Sequence, residues 1–243
     1  MLHKTAGIVL RSVKYRDTSL IVTIYTAALG MQSYLASGAN SGKKGSIGGA
    51  RFQPGAILDL VVYQNTQKKL QRLKEAHWGH IYEKMGESVV RNCASLYVCE
   101  LFYRSVRQPE PHAALFNFLQ SNLLLLDQAP LSVAANLPLY VTIQLPRFLG
   151  FGINTAGAGD CSTLDLQEGC FVDLLPVHAN CISGLLAEIT RRLLVIEDPF
   201  LLSELALEKK MRTELYGHYL AYYRMHLPDF GMMRSLEVLQ TVF

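Results

Sequence analysis

Residues 20–26 of this 243-residue chain read Leu-Ile-Val-Thr-Ile-Tyr-Thr, a run that predicts a β-strand in the first third of the chain. Its β-branched residues favour an extended strand. Gly30 then permits a turn, and the residues after it alternate into a further strand that ends at Gly38. The predicted strands are residues 8–13, 20–26, 31–37, 56–63 and 70–78. Five short strands within about 80 residues predict a small barrel or sandwich.

After Trp78 the apolar residues change to helical spacing. Pro109 and Pro111 end the first of these helices, and Pro138 and Pro146 imply a kink or a split in the third. The predicted helices are residues 81–106, 112–127, 131–149, 179–196 and 199–223, with another over the last residues and a loop over 150–176.

The pattern as a whole predicts an α+β protein with two domains. We expect a small β-barrel over residues 1–80 and a mainly α-helical domain over residues 81–243, with a loop insertion at about 150–178. No apolar run reaches membrane-spanning length, and the N-terminus lacks the apolar core of a signal peptide. The five cysteines are too few for a secreted disulfide framework, so we expect a cytoplasmic protein.

Charge is divided between the two ends of the chain. Residues 1–80 hold 11 of the 23 Lys and Arg but only 3 of the 20 Asp and Glu, a net charge of +8. The remainder holds 12 basic and 17 acidic residues, a net charge of −5. This division predicts an N-terminal domain that binds a polyanion and a C-terminal domain that binds proteins. The alternative is a solvated basic face without a partner.

The basic residues of the first domain follow strand ends and turns, which converge on one surface of a small barrel. Cations on that surface can follow a phosphate backbone without reading bases. Tyr15 and Phe52 stand beside cations and are the candidates for stacking on bases, whereas Tyr25 and Tyr63 are predicted to lie in the core. The candidate DNA-binding residues are Lys14, Arg16, Lys43, Lys44, Arg51, Lys68, Lys69, Arg72 and Lys74.

Sequence motifs for catalysis are missing. The glycine-rich stretch around Lys43 and Lys44 is not a Walker motif, since Gly45 stands where Ser or Thr is required, and GxSxG and HExxH do not occur. A zinc site formed by Cys161, Cys170, His178 and Cys181 is a weak alternative, because these residues lie close together but form no CxxC pair. The competing interpretation is that Cys170 is a small buried hydrophobe.

Four stretches of the sequence resemble a known family. Residues 6–30, AGIVLRSVKYRDTSLIVTIYTAALG, and residues 34–39, YLASGA, resemble the N-terminus of the bacterial RecO recombination mediators. The shared features are Tyr15 and Asp17 in a turn, a strand that ends in Tyr-Thr, then Gly30 and a Gly-Ala pair. Residues 147–151, RFLGF, and residues 234–239, RSLEVL, are similar to the family's C-terminal part.

The resemblance implies an N-terminal OB-fold and a helical C-terminal domain without covalent catalysis. It implies that the protein binds single- and double-stranded DNA, anneals complementary strands, and acts with RecR and the single-stranded-DNA-binding protein SSB in RecF-pathway gap repair. Whether RecF is itself required stays open.

The chain departs from the family's pattern in two places. Many members carry a zinc module with two CxxC pairs in the loop after Leu-Gly-Tyr, and the corresponding loop here has neither pair, so we expect no metal and no cofactor. Many members also have basic residues around the Gly-Ala turn, where this chain has Ser37 and Asn40. In this chain we therefore expect Lys43 and Lys44 to contact phosphate near that turn.

Two rival functions remain at this point. One is an adaptor whose barrel binds an acidic protein partner rather than DNA. The other is an enzyme that acts on nucleic acid.

Overall fold

The computed structural model describes residues 1–39, 48–65, 67–106, 109–155 and 162–242. Contacts between Cα atoms divide the chain into two compact units. The first, the barrel unit, comprises residues 1–88 and 99–128, and the second, the helical unit, comprises residues 89–98 and 129 onward. Among the described residues, no helix combines the length and the hydrophobicity needed to cross a lipid bilayer.

The barrel unit is built around five strands that close on themselves in the order β1-β2-β3-β5-β4. The first strand is long enough to pair with β4 through its first half and with β2 through its second half, and a bulge between Val9 and Arg11 lets it bend. A parallel pairing of β3 with β5 completes the closure. The strands are β1 Leu2–Tyr15, β2 Ser19–Thr26, β3 Gly30–Ala36, β4 Ile57–Tyr63 and β5 Leu70–Trp78. The predicted OB-type barrel is therefore confirmed.

Alternate residues of the strands fill the barrel. Val22, Ile24, Leu58 and Leu60 are all at most 2% exposed. A β-carbon added to Gly7 would lie 2.6 Å from Leu60 Cδ1 and 2.7 Å from Ile24 Cγ2, so any larger residue would force these core side chains to move. The barrel interior is therefore packed with side chains and leaves its outer surface for binding.

Two helical segments belong to the same unit as the barrel. These are the C-terminal part of α1 (Val89–Ser105) and all of α2 (Ala113–Gln128). The rings of Tyr25 on β2 and Phe116 on α2 pack with their centroids 6.0 Å apart. Asp127, near the end of α2, is fully buried.

The carboxylate of Asp127 ties the segment before α1 to α2. It accepts hydrogen bonds from the backbone N–H groups of Glu83, Lys84 and Met85 at 2.9, 2.8 and 2.7 Å. Burial by itself would raise the pKa of Asp127, but these three donors lower it below its ordinary value of 3.8. These bonds hold residues 83–85 outside α1, which begins at Val89 and not at the predicted residue 81.

The helical unit contains the rest of the helices and a small sheet. The third predicted helix splits at Pro146, as expected, and Pro138 stays inside α3. The strands of the sheet are β6 Thr163–Asp165, β7 Cys170–Val172 and β8 Cys181–Ser183, in the order β7-β6-β8. The helices that follow α2 are α3 Leu131–Gln144, α4 Pro146–Leu149, α5 Leu185–Val195, α6 Lys209–His226 and α7 Arg234–Val242.

Two predictions for this unit are wrong in the same region. Residues 150–176 contain two strands where a loop was predicted, and the helix predicted from residue 179 begins only at Leu185, because residues 181–183 pair with β6. Strands of three residues are too short to show periodicity, and their partners lie elsewhere in the chain. The mainly helical character of the region after the barrel is confirmed, with seven helices in the described residues.

The helical unit is held together by buried tyrosines and buried amides. The rings of Tyr97 and Tyr216 meet edge to face with centroids 5.3 Å apart. The Nδ2 atom of Asn136 donates to the carbonyl oxygens of Leu202 and Leu205 at 2.9 and 3.0 Å. Because a buried carbonyl group needs a donor, the side chain of Asn136 fixes the irregular segment before α6.

The boundary predicted at residue 80 stays a prediction. The last barrel strand ends at Trp78, and the residues of α1 are shared between the two compact units.

Candidate functional site

A row of paired residues runs across the outside of the barrel. Arg72 on β5 is in register with Leu35 on β3 and with Tyr63 on β4. Paired residues on neighbouring strands point to the same face of a sheet, so the row is one continuous strip. Four strand spacings of about 4.8 Å give it a contour of about 19 Å from Val13 to Tyr63. In order, the strip consists of Val13, Ile21, Leu35, Arg72, Tyr63 and Leu2.

The strip is exposed although most of its residues are apolar. Val13, Tyr63 and Leu2 are 43%, 47% and 46% exposed, and Ile21 and Leu35 are half-buried. Arg72 is the charged member of the row and is also exposed. The strip therefore offers apolar and aromatic surface around one guanidinium group.

The turn between β1 and β2 brings cations to the Val13 end of the strip. Lys14 and Arg16 are both exposed there. Arg16 adopts a positive φ of 55°, which turns the chain back into β2. Its guanidinium carbon lies 5.3 Å from the centroid of the Tyr15 ring, so part of that ring is covered.

The turn between β4 and β5 brings cations to the other end of the strip, next to Tyr63. Gln71, which is buried, braces this turn: its Nε2 donates to the carbonyl oxygens of Asn65 (2.9 Å) and Lys68, and its Oε1 accepts from Asn65 N at 2.8 Å. Lys68 and Lys69 are exposed on the braced turn. The buried amide thus positions two ammonium groups beside the strip.

Most of these cations are not neutralised by the protein's own carboxylates. Five of them border or belong to the strip: Lys14, Arg16, Lys68, Lys69 and Arg72, here called the strip cations. In the parts of the chain that the structure describes, none of the strip cations forms an ion pair. Lys74, two residues beyond Arg72, differs because its Nζ lies 3.4 Å from Glu75 Oε1.

The remaining predicted DNA-binding residues are placed differently. Arg51 is half-buried, and its Nη1 donates to the carbonyl oxygen of Ala76 at 3.2 Å. Ala76 lies four residues beyond Arg72, or about 13 Å along β5, so Arg51 is set apart from the strip. Lys43 and Lys44 lie outside the described residues.

Of the aromatic predictions, one is confirmed, two are wrong and one stays a prediction. Tyr25 is fully buried, as predicted, and Tyr15 is 37% exposed, while its stacking on bases stays a prediction. Phe52 is only 1% exposed, because the short 3-10 helix Gly49–Phe52 turns its ring into the barrel core. Tyr63 is on the surface, not in the core, because its neighbour Val62 occupies the inward position. The alternation of Leu58, Leu60 and Val62 was the signal that could have placed Tyr63 outside.

The residues of the alternative zinc site make other contacts. Cys170 and Cys181 both pair with Asp165, on opposite sides of β6. The Nε2 atom of His178 lies 3.2 Å from Asp165 Oδ2, and Cys181 Sγ faces the carbonyl oxygen of His178 at 3.9 Å. Among the described residues, no three His, Cys, Asp or Glu side chains are grouped so that they could hold a metal ion. Cys161 lies outside the described residues.

The closed barrel and the helical unit define a class of two-part OB-fold proteins, and sequence comparison identifies the family. Residues 1–82 match the family described as Recombination protein O N terminal, and residues 86–235 match Recombination protein O C terminal. The chain belongs to the RecO family of DNA repair proteins.

Similar proteins cover the whole chain. A DNA repair protein RecO from Bacteroides fragilis is 32% identical over 250 residues, with 100% of both chains covered. Proteins of the same name from Phocaeicola vulgatus and Flavobacterium psychrophilum are each 30% identical over 245 residues, again with 100% of both chains covered.

Proposed function

We propose that this chain binds single- and double-stranded DNA through its barrel and anneals complementary strands, acting with RecR and SSB in gap repair. The observation that carries the proposal is the set of five exposed strip cations, which form no ion pair with any carboxylate of the described residues. Membership of a DNA repair family supports it independently. The proposed role is that of a cytoplasmic mediator that makes and breaks no covalent bonds.

The physical basis is neutralisation of phosphate charge. A cation that meets a phosphate releases a condensed counterion, and this release drives binding without reference to base sequence. Two strands brought together on such a surface repel one another less than in free solution. Annealing would then follow from ordinary base pairing between strands that the protein keeps close together.

The protein partners are proposed for the helical unit. The chain beyond residue 80 has a net charge of −5, which does not favour contact with DNA phosphates. The difference in net charge is consistent with a barrel that binds DNA and a helical unit that binds proteins. RecR and SSB are the partners expected of the family.

A second candidate function is binding of an acidic protein segment by the same strip. Exposed Leu2 and Val13 favour this alternative, because apolar side chains between cations suit a peptide that carries both carboxylates and apolar residues. DNA binding and peptide binding could share the surface. Short oligonucleotides and an acidic, apolar peptide should then compete for it.

Fluorescence-monitored annealing of complementary oligonucleotides tests the proposal. We expect the wild-type protein to accelerate annealing, both for free strands and for strands covered with SSB. Replacing Lys68, Lys69 and Arg72 together by Ala should remove most of the acceleration. The matched control replaces three exposed cations of α6, Lys209, Lys210 and Arg224, and should leave annealing unchanged.

Two results would contradict the proposal. The first is a wild-type protein that neither binds oligonucleotides in a gel shift nor accelerates annealing. The second is an equal loss of annealing in both triple variants, because the effect would then reflect net charge and not the strip. SSB that lacks its C-terminal tail separates direct annealing from a contribution of the partner.

A further inference from the structure

Tyr63 is an exposed aromatic residue placed directly beside a cation. It is in register with Arg72 on one side and with Leu2 on the other, and it is 47% exposed. In the part of the chain that the structure describes, its ring has no aromatic or cationic partner. A tyrosine ring left open between an arginine and a leucine is a flat, amphipathic surface of the kind on which bases stack.

We infer that Tyr63 stacks on an unpaired base of a strand whose phosphate is held by Arg72, and so makes the barrel prefer single-stranded to duplex DNA. This inference rests on the proposed DNA binding and adds a specificity-determining residue to it. Phosphates are available on both forms of DNA, whereas the face of a base is available for stacking only when its pairing and stacking in the duplex are released.

The other exposed aromatic residues of the barrel are less suited to this role. The guanidinium group of Arg16 covers part of the ring of Tyr15. Trp78 is 42% exposed, but it is six residues beyond Arg72 on β5, about 20 Å along the strand, and it pairs with Leu58. Tyr63 is therefore the aromatic residue that combines an open face with a neighbouring strip cation.

The position of Tyr63 has a consequence for annealing. Pairing with a complementary strand withdraws the base from the tyrosine, so the product duplex loses this contact and keeps only the phosphate contacts. The barrel would then hold a single strand more firmly than the duplex that it helps to form. Release of the product follows from this difference without a conformational change.

The test compares three variants with the wild-type protein: Tyr63→Leu, Tyr63→Phe and Trp78→Leu. Fluorescence anisotropy at one salt concentration gives the affinity for a labelled single strand and for a blunt duplex of the same sequence. Tyr63→Leu should weaken single-strand binding about tenfold, equivalent to about 1.4 kcal/mol, and change duplex binding less than twofold. Tyr63→Phe keeps the ring and should retain the wild-type preference.

A base analogue gives a direct readout of stacking. The fluorescence of 2-aminopurine in the single strand should be quenched by the wild-type protein and by Tyr63→Phe, but much less by Tyr63→Leu at saturation. Trp78→Leu serves as the control for an exposed aromatic residue far from Arg72, and it should leave both affinities and the quenching unchanged. Thermal unfolding of each variant verifies that the barrel is intact.

The stacking role of Tyr63 and the proposed DNA binding by the barrel are contradicted by different results. Equal weakening of single-strand and duplex binding by Tyr63→Leu, or equal loss in Trp78→Leu, would refute a stacking role for Tyr63. Loss of preference in Tyr63→Phe would assign the effect to the hydroxyl group and refute stacking as well. Failure of the wild-type protein to bind either form of DNA at low salt would instead remove the proposed function itself.

Discussion

The salt dependence of single-strand binding gives the sharpest test of the strip cations. The perturbation is the triple variant in which Lys68, Lys69 and Arg72 are replaced by Ala, leaving Lys14 and Arg16 in place. All five side chains are exposed, and no ion pair to a carboxylate engages them within the described ranges. Each can therefore meet a phosphate without first breaking an ion pair.

The magnitude follows from the number of cations. Five phosphate contacts at a slope of about −0.7 each give a total slope of about −3.5 in log affinity against log salt. A rise from about 50 to about 200 mM salt should then weaken wild-type binding about 10²-fold. The triple variant keeps two contacts, so its slope should be about −1.4 and its loss over the same range about sevenfold. At about 100 mM salt the variant should bind about 10²-fold more weakly than the wild type.

The assay is a fluorescence titration of a labelled oligonucleotide at several salt concentrations, repeated with strands of different base composition. The weakening should be the same for all compositions, because phosphates carry no sequence information. The variant with Lys209, Lys210 and Arg224 replaced by Ala has the same charge change and should keep the wild-type slope. An unchanged slope in the strip variant would refute the argument, since its cations would then not meet phosphates.

Three further predictions concern stability. Asp127→Ala removes the buried carboxylate that accepts three backbone hydrogen bonds, one of them fully buried, and should lower the free energy of unfolding by about 3 kcal/mol in urea denaturation; an unchanged midpoint would show that these bonds to residues 83–85 contribute little. The pKa of Asp127 is lower in the folded state than in the unfolded chain, so its carboxylate stabilises the fold at neutral pH. This stabilisation is lost as the pH falls through the folded-state pKa. The stability difference between wild type and Asp127→Asn should therefore narrow below about pH 4, and a constant difference from pH 6 to 3 would contradict this. Phe52→Ala leaves a cavity in the barrel core and should lower the free energy of unfolding by about 3–5 kcal/mol in the same assay. A decrease below about 1 kcal/mol would mean that the stability of the core does not depend on this ring.

Local pattern was sufficient for strand β5 and for helix α2. The strand predicted over residues 70–78 has the observed bounds of β5, and the helix predicted over 112–127 differs from α2 by one residue at each end. In α2 the helical spacing of the apolar residues agrees with the face that the structure buries. The basic character of the barrel is likewise a property of the sequence alone.

Contacts with distant segments of the chain determine where β1 and α1 begin, which the local sequence pattern did not predict. β1 extends back to Leu2 because its first half pairs with β4, although the residues around Lys4 carry little strand signal of their own. Helix α1 begins at Val89 and not at residue 81, because the carboxylate of Asp127, more than 40 residues away, accepts hydrogen bonds from the backbone N–H groups of residues 83–85. The hydroxyl group of Tyr82 also bonds to the carbonyl oxygen of Gly55 at 2.7 Å and holds the same segment against the barrel.

Composition and periodicity are local properties, and they were enough to predict the two-part architecture and the basic character of the barrel. The folded barrel was needed to show that Phe52 fills the core, that Tyr63 is paired with Arg72, and that Arg72 lies between two cationic turns. The physical reason is that register across a closed barrel is set by hydrogen bonds between strands far apart in the chain. A shift of one residue in the register of β4, for example, would turn Tyr63 inward.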